Sequence, residues 1–407
     1  MKHKIEISAS HTLKLLAAQV RTDMRESAAS PMSAAEAAAV LEKSSERVFA
    51  AASERLAKCL DNGNPAASAA RSLQLLLDEH GRPALVALVS ASATGTNSLS
   101  APQRASLEAL IKLTGRPSLR VKNDRIDFND PDIGPWREPL LLLREKIPHI
   151  VRSVGRIDVG AVHVGTGFLI ADDLVMTNRH VLEALVTPSH TITSPKGWLL
   201  SQQGVTIDFR RESASPSSPR FNVIGVEFAG PIPTNGVVSV DFANLDLAVL
   251  RIAKTDSAGQ PPPPPLSFLK GELSSHASQQ VLVVGFPAPP APPPLDGKGH
   301  PRQDVIDALK RIYNSSYGVK YLSPGEVSAL PGTIAEDVKQ WVFSHDATTL
   351  GGNSGSCVVR YGPRPGVIGL HFAGSFERAN YAHALTRVVS GGQLPTALQE
   401  RLHWIGE

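Results

Sequence analysis

The sequence predicts two folded parts, an α-helical bundle at the N-terminal end and, from residue 151, an all-β domain of barrel or sandwich type. Three observations predict it. The composition shifts near residue 150, from Ala- and Leu-rich sequence with helical punctuation to β-branched residues, Gly and turn signals. Apolar runs in the second part are short, as in Gly167-Phe168-Leu169-Ile170 and Val281-Leu282-Val283-Val284, the length of strands. Two proline tracts, Pro261 to Pro265 and Pro287 to Pro294, lack the N–H groups a central strand needs and read as extended surface connectors.

In the first part, Ser33-Ala34-Ala35-Glu36 has capping-box spacing, in which hydroxyl and carboxylate satisfy free backbone N–H groups of a helix start. Behind it Leu41, Val48, Phe49, Ala52, Leu56 and Leu60 recur at helical period until Asn62-Gly63. Asn64-Pro65 opens a second helix, expected to stop at Gly81 with Pro83 beyond. Ser100-Ala101-Pro102-Gln103 opens a third, ending at Gly115 before Pro117. Residues 1–117 are thus expected to form a helical bundle with a regulatory or partner-binding role. Residues 118–150 read as a hairpin around Asn123-Asp124 and a linker helix from about Glu138 to Lys146. The β domain takes residues 151–407 and closes with a terminal helix carrying Leu394, Leu398, Leu402 and Ile405 on one face.

Bulk properties narrow the function classes. A net charge of +3, from scattered Lys and Arg, gives no footprint for nucleic acid. The two cysteines, Cys59 and Cys357, allow one bridge at most and fit reduced thiols, hence a cytoplasmic setting. Lys14, Gln19 and Arg21 interrupt the one candidate for a leader, so no signal peptide is expected. No apolar run reaches the roughly 18 residues of a membrane span. No Cys/His cluster has zinc spacing and no glycine loop cradles phosphate, so neither metal nor cofactor is expected.

Three segments carry chemistry. Gly165-Thr166-Gly167 leads, past a turn, to Thr177-Asn178-Arg179-His180. Asn244-Leu245-Asp246 precedes the apolar run Leu247 to Leu250. Gly351-Gly352-Asn353-Ser354-Gly355-Ser356 comes last. A serine hydroxyl attacks well only when a base takes its proton. His180 can be that base and later return the proton to the leaving amine, while Asp246 fixes the imidazole tautomer. Glycine at 352 leaves its backbone N–H, beside that of Ser354, unobstructed for a developing oxyanion. Each segment alone is a common loop or turn; their order and their hydrophobic strand neighbours make the combination specific.

These segments resemble those of bacterial trypsin-like serine peptidases, nearest the glutamyl-endopeptidase and HtrA-type branches, over roughly residues 151 to 395. Gly285-Phe286-Pro287 and Pro324-Gly325-Glu326-Val327 resemble further turns of those families. The resemblance implies a chymotrypsin-like double β-barrel, with His180 and Asp246 on one lobe and Ser354 on the other, hydrolysing peptide bonds in a protein or peptide substrate. It also implies either that Thr349 and His371 line a pocket suited to an acidic P1 side chain or that His371 is a structural histidine on a core strand, and that Phe372 to Gly374 pair with the substrate backbone. Two departures matter. Asn353 stands where digestive trypsins carry the Asp that pairs with a freshly cut N-terminus, so control should come from elsewhere, with the helical domain as candidate. Thr348, six residues before Ser354, argues against Arg/Lys preference. The alternative is a non-cleaving scaffold of the same fold that grips a partner. Cys357 reads as a buried structural thiol, and His345-Asp346 as structural, since strand neighbours face opposite ways.

Overall fold

The computed structural model describes residues 77–94, 116–186, 198–201, 203–212, 218–234, 241–273, 279–288, 316–349, 351–375 and 379–406, with isolated positions between 38 and 106. The Ser33 capping box, Cys59, the Asn62-Gly63 stop, the Asn64-Pro65 start and residues 289–294 of the second proline tract lie outside them.

In the N-terminal part, Leu77–Gly81 forms one wide helical turn that continues into α1 (Arg82–Thr94). The stop expected at Gly81 is therefore not observed. Pro83 is the second residue of α1, just past the junction with that wide turn. Gly81 serves packing instead: a Cβ there would come within 2.7 Å of Phe49 Cε1 and 2.9 Å of Ser106 Oγ.

The hairpin is formed by β1 (Leu119–Lys122) and β2 (Arg125–Ile126), and Asn123 and Asp124 take the left-handed conformations, φ 52° and 59°, that such a turn requires. The linker helix divides into α2 (Arg137–Leu142) and α3 (Ile147–Val151). Pro148 explains the break: its ring would collide with the carbonyl four residues back, so a helix cannot run through 144–148.

Next come β3 (Val154–Val159), β4 (Val162–Ala171), β5 (Leu174–Thr177), α4 (Arg179–Leu185), β6 (Val205–Asp208), β7 (Phe221–Ala229) and β8 (Ala248–Ile252). The strands close as β3-β4-β5-β8-β7-β6, all antiparallel. After β9 (Phe268–Leu269), a second set follows: β10 (Gln280–Gly285), β11 (Tyr321–Ala329), β12 (Val342–His345), β13 (Cys357–Arg360), β14 (Gly366–Ser375) and β15 (Ala379–Ala384). Its order β10-β13-β14-β15-β12-β11 is closed by pairing of β10 with β11. The fold is a double β-barrel of the chymotrypsin type, with the β1–β2 hairpin joined to the second barrel through Leu119 opposite Leu322.

The short apolar runs do not alternate with polar residues because both faces of these strands are covered. Val281 and Val283 point into the second barrel, while Leu282 and Val284 join the apolar mass outside it. Leu169 fills the first barrel, while Phe168 and Ile170 turn outward to the same mass, which also takes Trp136, Leu140 and Ile147 from the linker. Each barrel therefore has its own core, and a third core joins them.

The chain ends with α5 (Leu385–Ser390), α6 (Thr396–Gln399) and β16 (Trp404–Ile405). This corrects the expected terminal helix. Leu394, Leu398 and Leu402 are buried as their spacing demanded, but Ile405 belongs to a strand paired in parallel with β9. Backbone bonds from Phe268 to His403 (2.8 Å) and Lys270 to Ile405 (2.9 Å) hold the last residues extended. No helix among the described residues is long and apolar enough to cross a membrane.

Candidate active site

His180 sits in the first turn of α4, whose leading Asn178 makes no side-chain cap. The opening N–H groups of a helix need acceptors from elsewhere. Asp246 supplies one. Its Oδ1 accepts the backbone N–H of His180 at 2.9 Å, and its Oδ2 lies 2.6 Å from the Nδ1 of the same residue. Asn178 in turn donates its Nδ2–H to the Asp246 carbonyl at 2.9 Å. Two donors on one carboxylate fix both the ring plane and the tautomer, with the proton on Nδ1 and Nε2 left as the basic nitrogen. Burial pushes the Asp246 carboxyl up, but the ring and backbone N–H of His180 outweigh it and hold the group below the usual carboxylate range.

The turn carrying Ser354 is lodged between the barrels. Thr166 of β4 donates its backbone N–H to Ser354 O at 2.9 Å and its hydroxyl to Gly352 O at 2.7 Å. Its own carbonyl accepts the Thr177 hydroxyl at 2.7 Å, three residues before His180. On the far side Gly355 N–H reaches His371 O at 3.0 Å, and His371 N–H reaches Ser356 O at 2.9 Å. Among the described residues, His180 Nε2 and Ser354 Oγ make no hydrogen bond, either to each other or to a third group.

The glycines of this turn have separate reasons. Gly355 has φ +90°, and a Cβ would fall 1.9 Å from Thr166 O. Gly352 has φ +85°, and a Cβ would fall 2.5 Å from Phe286 O. The carbonyl of Gly351 accepts from Ala288 N–H at 2.6 Å, so the N–H of Gly352, across the same trans peptide, points away from Ala288.

A family model described as trypsin-like peptidase domain matches residues 165–370, about half of the chain and a span that holds all three segments. The chain belongs to the trypsin-like peptidases. It is a serine endopeptidase. A probable serine protease of Lysobacter enzymogenes is 34% identical over 299 residues, 71% of this chain and 74% of that one. Among solved structures, the Rv3671c protease of M. tuberculosis in its inactive form overlaps at 19% identity, 62% of this chain and 93% of that one, with TM-score 0.34. Neuropsin, a serine protease of mouse brain, overlaps at 13% identity, 60% of this chain and 95% of that one, with TM-score 0.37.

In this trypsin-like peptidase the residues expected to contact substrate cluster beside the serine turn. Thr349 donates its hydroxyl to Asn380 Oδ1, and Asn380 stands opposite Gly374 across β14 and β15. His371 is only 2% exposed, with Nδ1 3.3 Å from His345 Nε2. Burial, then the neighbouring His345 and His180, keep its ring neutral well below the usual histidine range. Past Leu370, β14 has β15 on one side and no strand on the other among the described residues, which leaves Phe372 to Gly374 with an open edge. Cys357 is a free, buried thiol whose pKa burial pushes up to about 12.

Two contributors were not singled out from sequence. Thr166 uses its N–H, hydroxyl and carbonyl to join both barrels at the serine turn, and also accepts Phe286 N–H at 3.2 Å. The only signal was its place between Gly165 and Gly167. His383 of β15 accepts the Asp246 backbone N–H on Nε2 at 3.0 Å, and its ring stacks on Phe372 with centroids 4.2 Å apart. No local pattern marks it, because its partner lies 137 residues away.

Proposed function

We propose that this peptidase cleaves through a triad of Ser354, His180 and Asp246, with the backbone N–H groups of Gly352 and Ser354 as the oxyanion hole. The carrying observation is the Asp246 carboxylate, which accepts both the ring and the backbone N–H of His180. His180 Nε2 removes the Ser354 proton as Oγ attacks the scissile carbonyl, and the imidazolium then protonates the leaving amine. Negative charge on the carbonyl oxygen develops against the two backbone donors. The fixed Gly351 carbonyl supports this assignment for Gly352, since a flipped peptide would present oxygen instead.

Substrate binds as an added strand on the open edge of Phe372 to Gly374, with its P1 side chain between that edge and Thr349. A neutral His371 can offer an N–H to P1 but no charge, and the Thr349 hydroxyl could donate to an acidic P1 side chain only by leaving Asn380 Oδ1. Residues 1–117 form the regulatory or partner-binding unit, residues 118–150 the linker and residues 151–407 the catalytic domain. The two-cysteine composition favours a cytoplasmic setting.

The test is hydrolysis of a fluorogenic peptide library by the wild type, Ser354→Ala and Asp246→Asn. Ser354→Ala should abolish turnover, and Asp246→Asn should lower kcat by about 10⁴-fold through the wrong tautomer. Turnover that survives Ser354→Ala contradicts the triad. A folded wild type that cleaves nothing favours the scaffold reading.

A further inference from the structure

Arg116 lies on the segment just before β1, ahead of both barrels, yet its guanidinium is buried against the loop that leads into the serine turn. Its Nη2 stands 2.6 Å from Asp346 Oδ2 and 3.4 Å from Glu326 Oε2, with side-chain exposures of 11% for Arg116 and 4% for Asp346. The guanidinium lies over Trp136, 5.5 Å from the ring centroid. The Arg116 carbonyl accepts the Thr348 hydroxyl at 2.6 Å. One residue therefore grips two members of the run Asp346 to Thr349.

On the proposed reading that run is one wall of the P1 pocket, joined through Thr349 and Asn380 to β15 opposite Gly374. Its other supports are inside the second barrel. Asp346 Oδ1 accepts Glu326 N–H at 2.6 Å, and Asn380 Nδ2–H donates to Ala347 O at 2.7 Å. Among the described residues, Arg116 is the one cation shared by the buried Asp346 and the half-buried Glu326 of β11, and burial together with Asp346 still holds the Glu326 carboxyl above its usual range. Removing one member of a buried ion pair leaves its partner charged and unpaired, so the loop bearing Asp346 would have to move toward water. Ala347 of the same run is packed in the core of the second barrel, so a shift of the run is passed to that barrel and not to the first, whose core is separate.

We propose that Arg116 is a positioning residue that holds the Asp346–Thr349 wall in its substrate-binding form, so that the segment preceding the barrels sets substrate affinity. This rests on the peptidase reading above and names the physical route of its regulation. Asn353, a neutral residue beside the nucleophile, offers no anion for a cation to order, and here the ordering pair stands at the other end of the same loop. Tension or displacement in residues that precede Arg116 would be felt at Thr348 and Thr349 directly.

The test compares full-length wild type, Arg116→Met, Arg116→Lys and Asp346→Asn on the best fluorogenic tetrapeptide from a P1-varied library, together with hydrogen exchange of the amides of Ala347 to Thr349. Arg116→Met should raise KM at least tenfold, with the smaller change in kcat, and speed exchange in that run. Arg116→Lys should recover part of both, and adding Asp346→Asn to Arg116→Met should worsen neither. Unchanged exchange and KM, or losses in kcat and KM alike with exchange raised throughout both barrels, would overturn the proposal. A wild type that cleaves no peptide would defeat the peptidase reading itself, and the exchange measurement would still decide whether Arg116 orders the wall.

Discussion

The backbone N–H of Asp246 donates to the Nε2 of His383 at 3.0 Å, and this contact ties the acid's loop on the first barrel to β15 of the second. The same loop is gripped twice more. Trp341 Nε1–H donates to Phe242 O at 2.7 Å, and the Phe242 ring packs edge-on against Tyr381 with centroids 4.8 Å apart. The relative placement of Asp246 and the serine turn thus depends on the second barrel holding the first barrel's loop.

His383→Leu should leave the Asp246 N–H buried without an acceptor, a loss of about 1–3 kcal/mol of stability. It should also lower kcat by about tenfold with KM nearly unchanged, because the acid moves and the substrate edge does not. His383→Gln, which can present an amide oxygen, should recover most of kcat. Chemical denaturation and steady-state kinetics on the two variants check this; equal loss in both would mean that ring packing alone matters.

Acid should destabilise the fold through buried neutral histidines. Burial lowers His383 to about 4, and burial with the Arg156 charge lowers His163 to about 4. Between that value and the ordinary 6.5 the unfolded chain binds more protons than the folded one, so stability rises with pH across this window and is lost as pH falls through it. For His383 the full difference is about 3 kcal/mol. Urea unfolding from pH 7 to 4 should show the slope, and His383→Gln should flatten it.

Much of this arrangement was legible in the sequence, and the reasons for the rest are physical. His180, Asp246 and Ser354 were singled out from the strand-length apolar runs near each and, at Ser354, from the flanking glycines. The barrels follow from those runs, which lack polar alternation because two cores cover both faces. Residues such as His383, Thr166 and Arg116 act through partners more than a hundred positions away, and no local period encodes such contacts. Gly81 and Ile405 were misread for a related cause. A glycine that permits close approach looks like a helix stop, and a strand of two residues beside an apolar helical face looks like its last turn.

Thr166→Val keeps the shape but removes the hydroxyl that donates to Gly352 O and accepts from Phe286 N–H. Two buried groups lose a partner, which should lower stability by about 2–4 kcal/mol and kcat by at least tenfold through a looser oxyanion donor. Thermal unfolding and kcat on a small ester substrate check it.

Gly355→Ala places a methyl 1.9 Å from Thr166 O at φ +90°. Both the clash and the backbone conformation oppose it. The serine turn should distort and activity should fall more than a hundredfold while the barrels keep their far-UV spectrum. Wild-type activity in this variant would mean that the turn is not held as described.

Cys357 should resist alkylation by iodoacetamide at pH 8 in the native protein and react at once in denaturant, because burial both shields the thiol and lifts its pKa to about 12. Rapid native labelling, mapped by mass spectrometry, would contradict its place in the core.

The decisive measurement is the site of phosphonylation by a fluorophosphonate probe in the wild type and in His180→Ala. A single adduct on Ser354 is expected in the wild type and none in His180→Ala. An adduct on another serine, or equal labelling with and without the imidazole of His180, would show that the acid, the base and the nucleophile do not work as one unit.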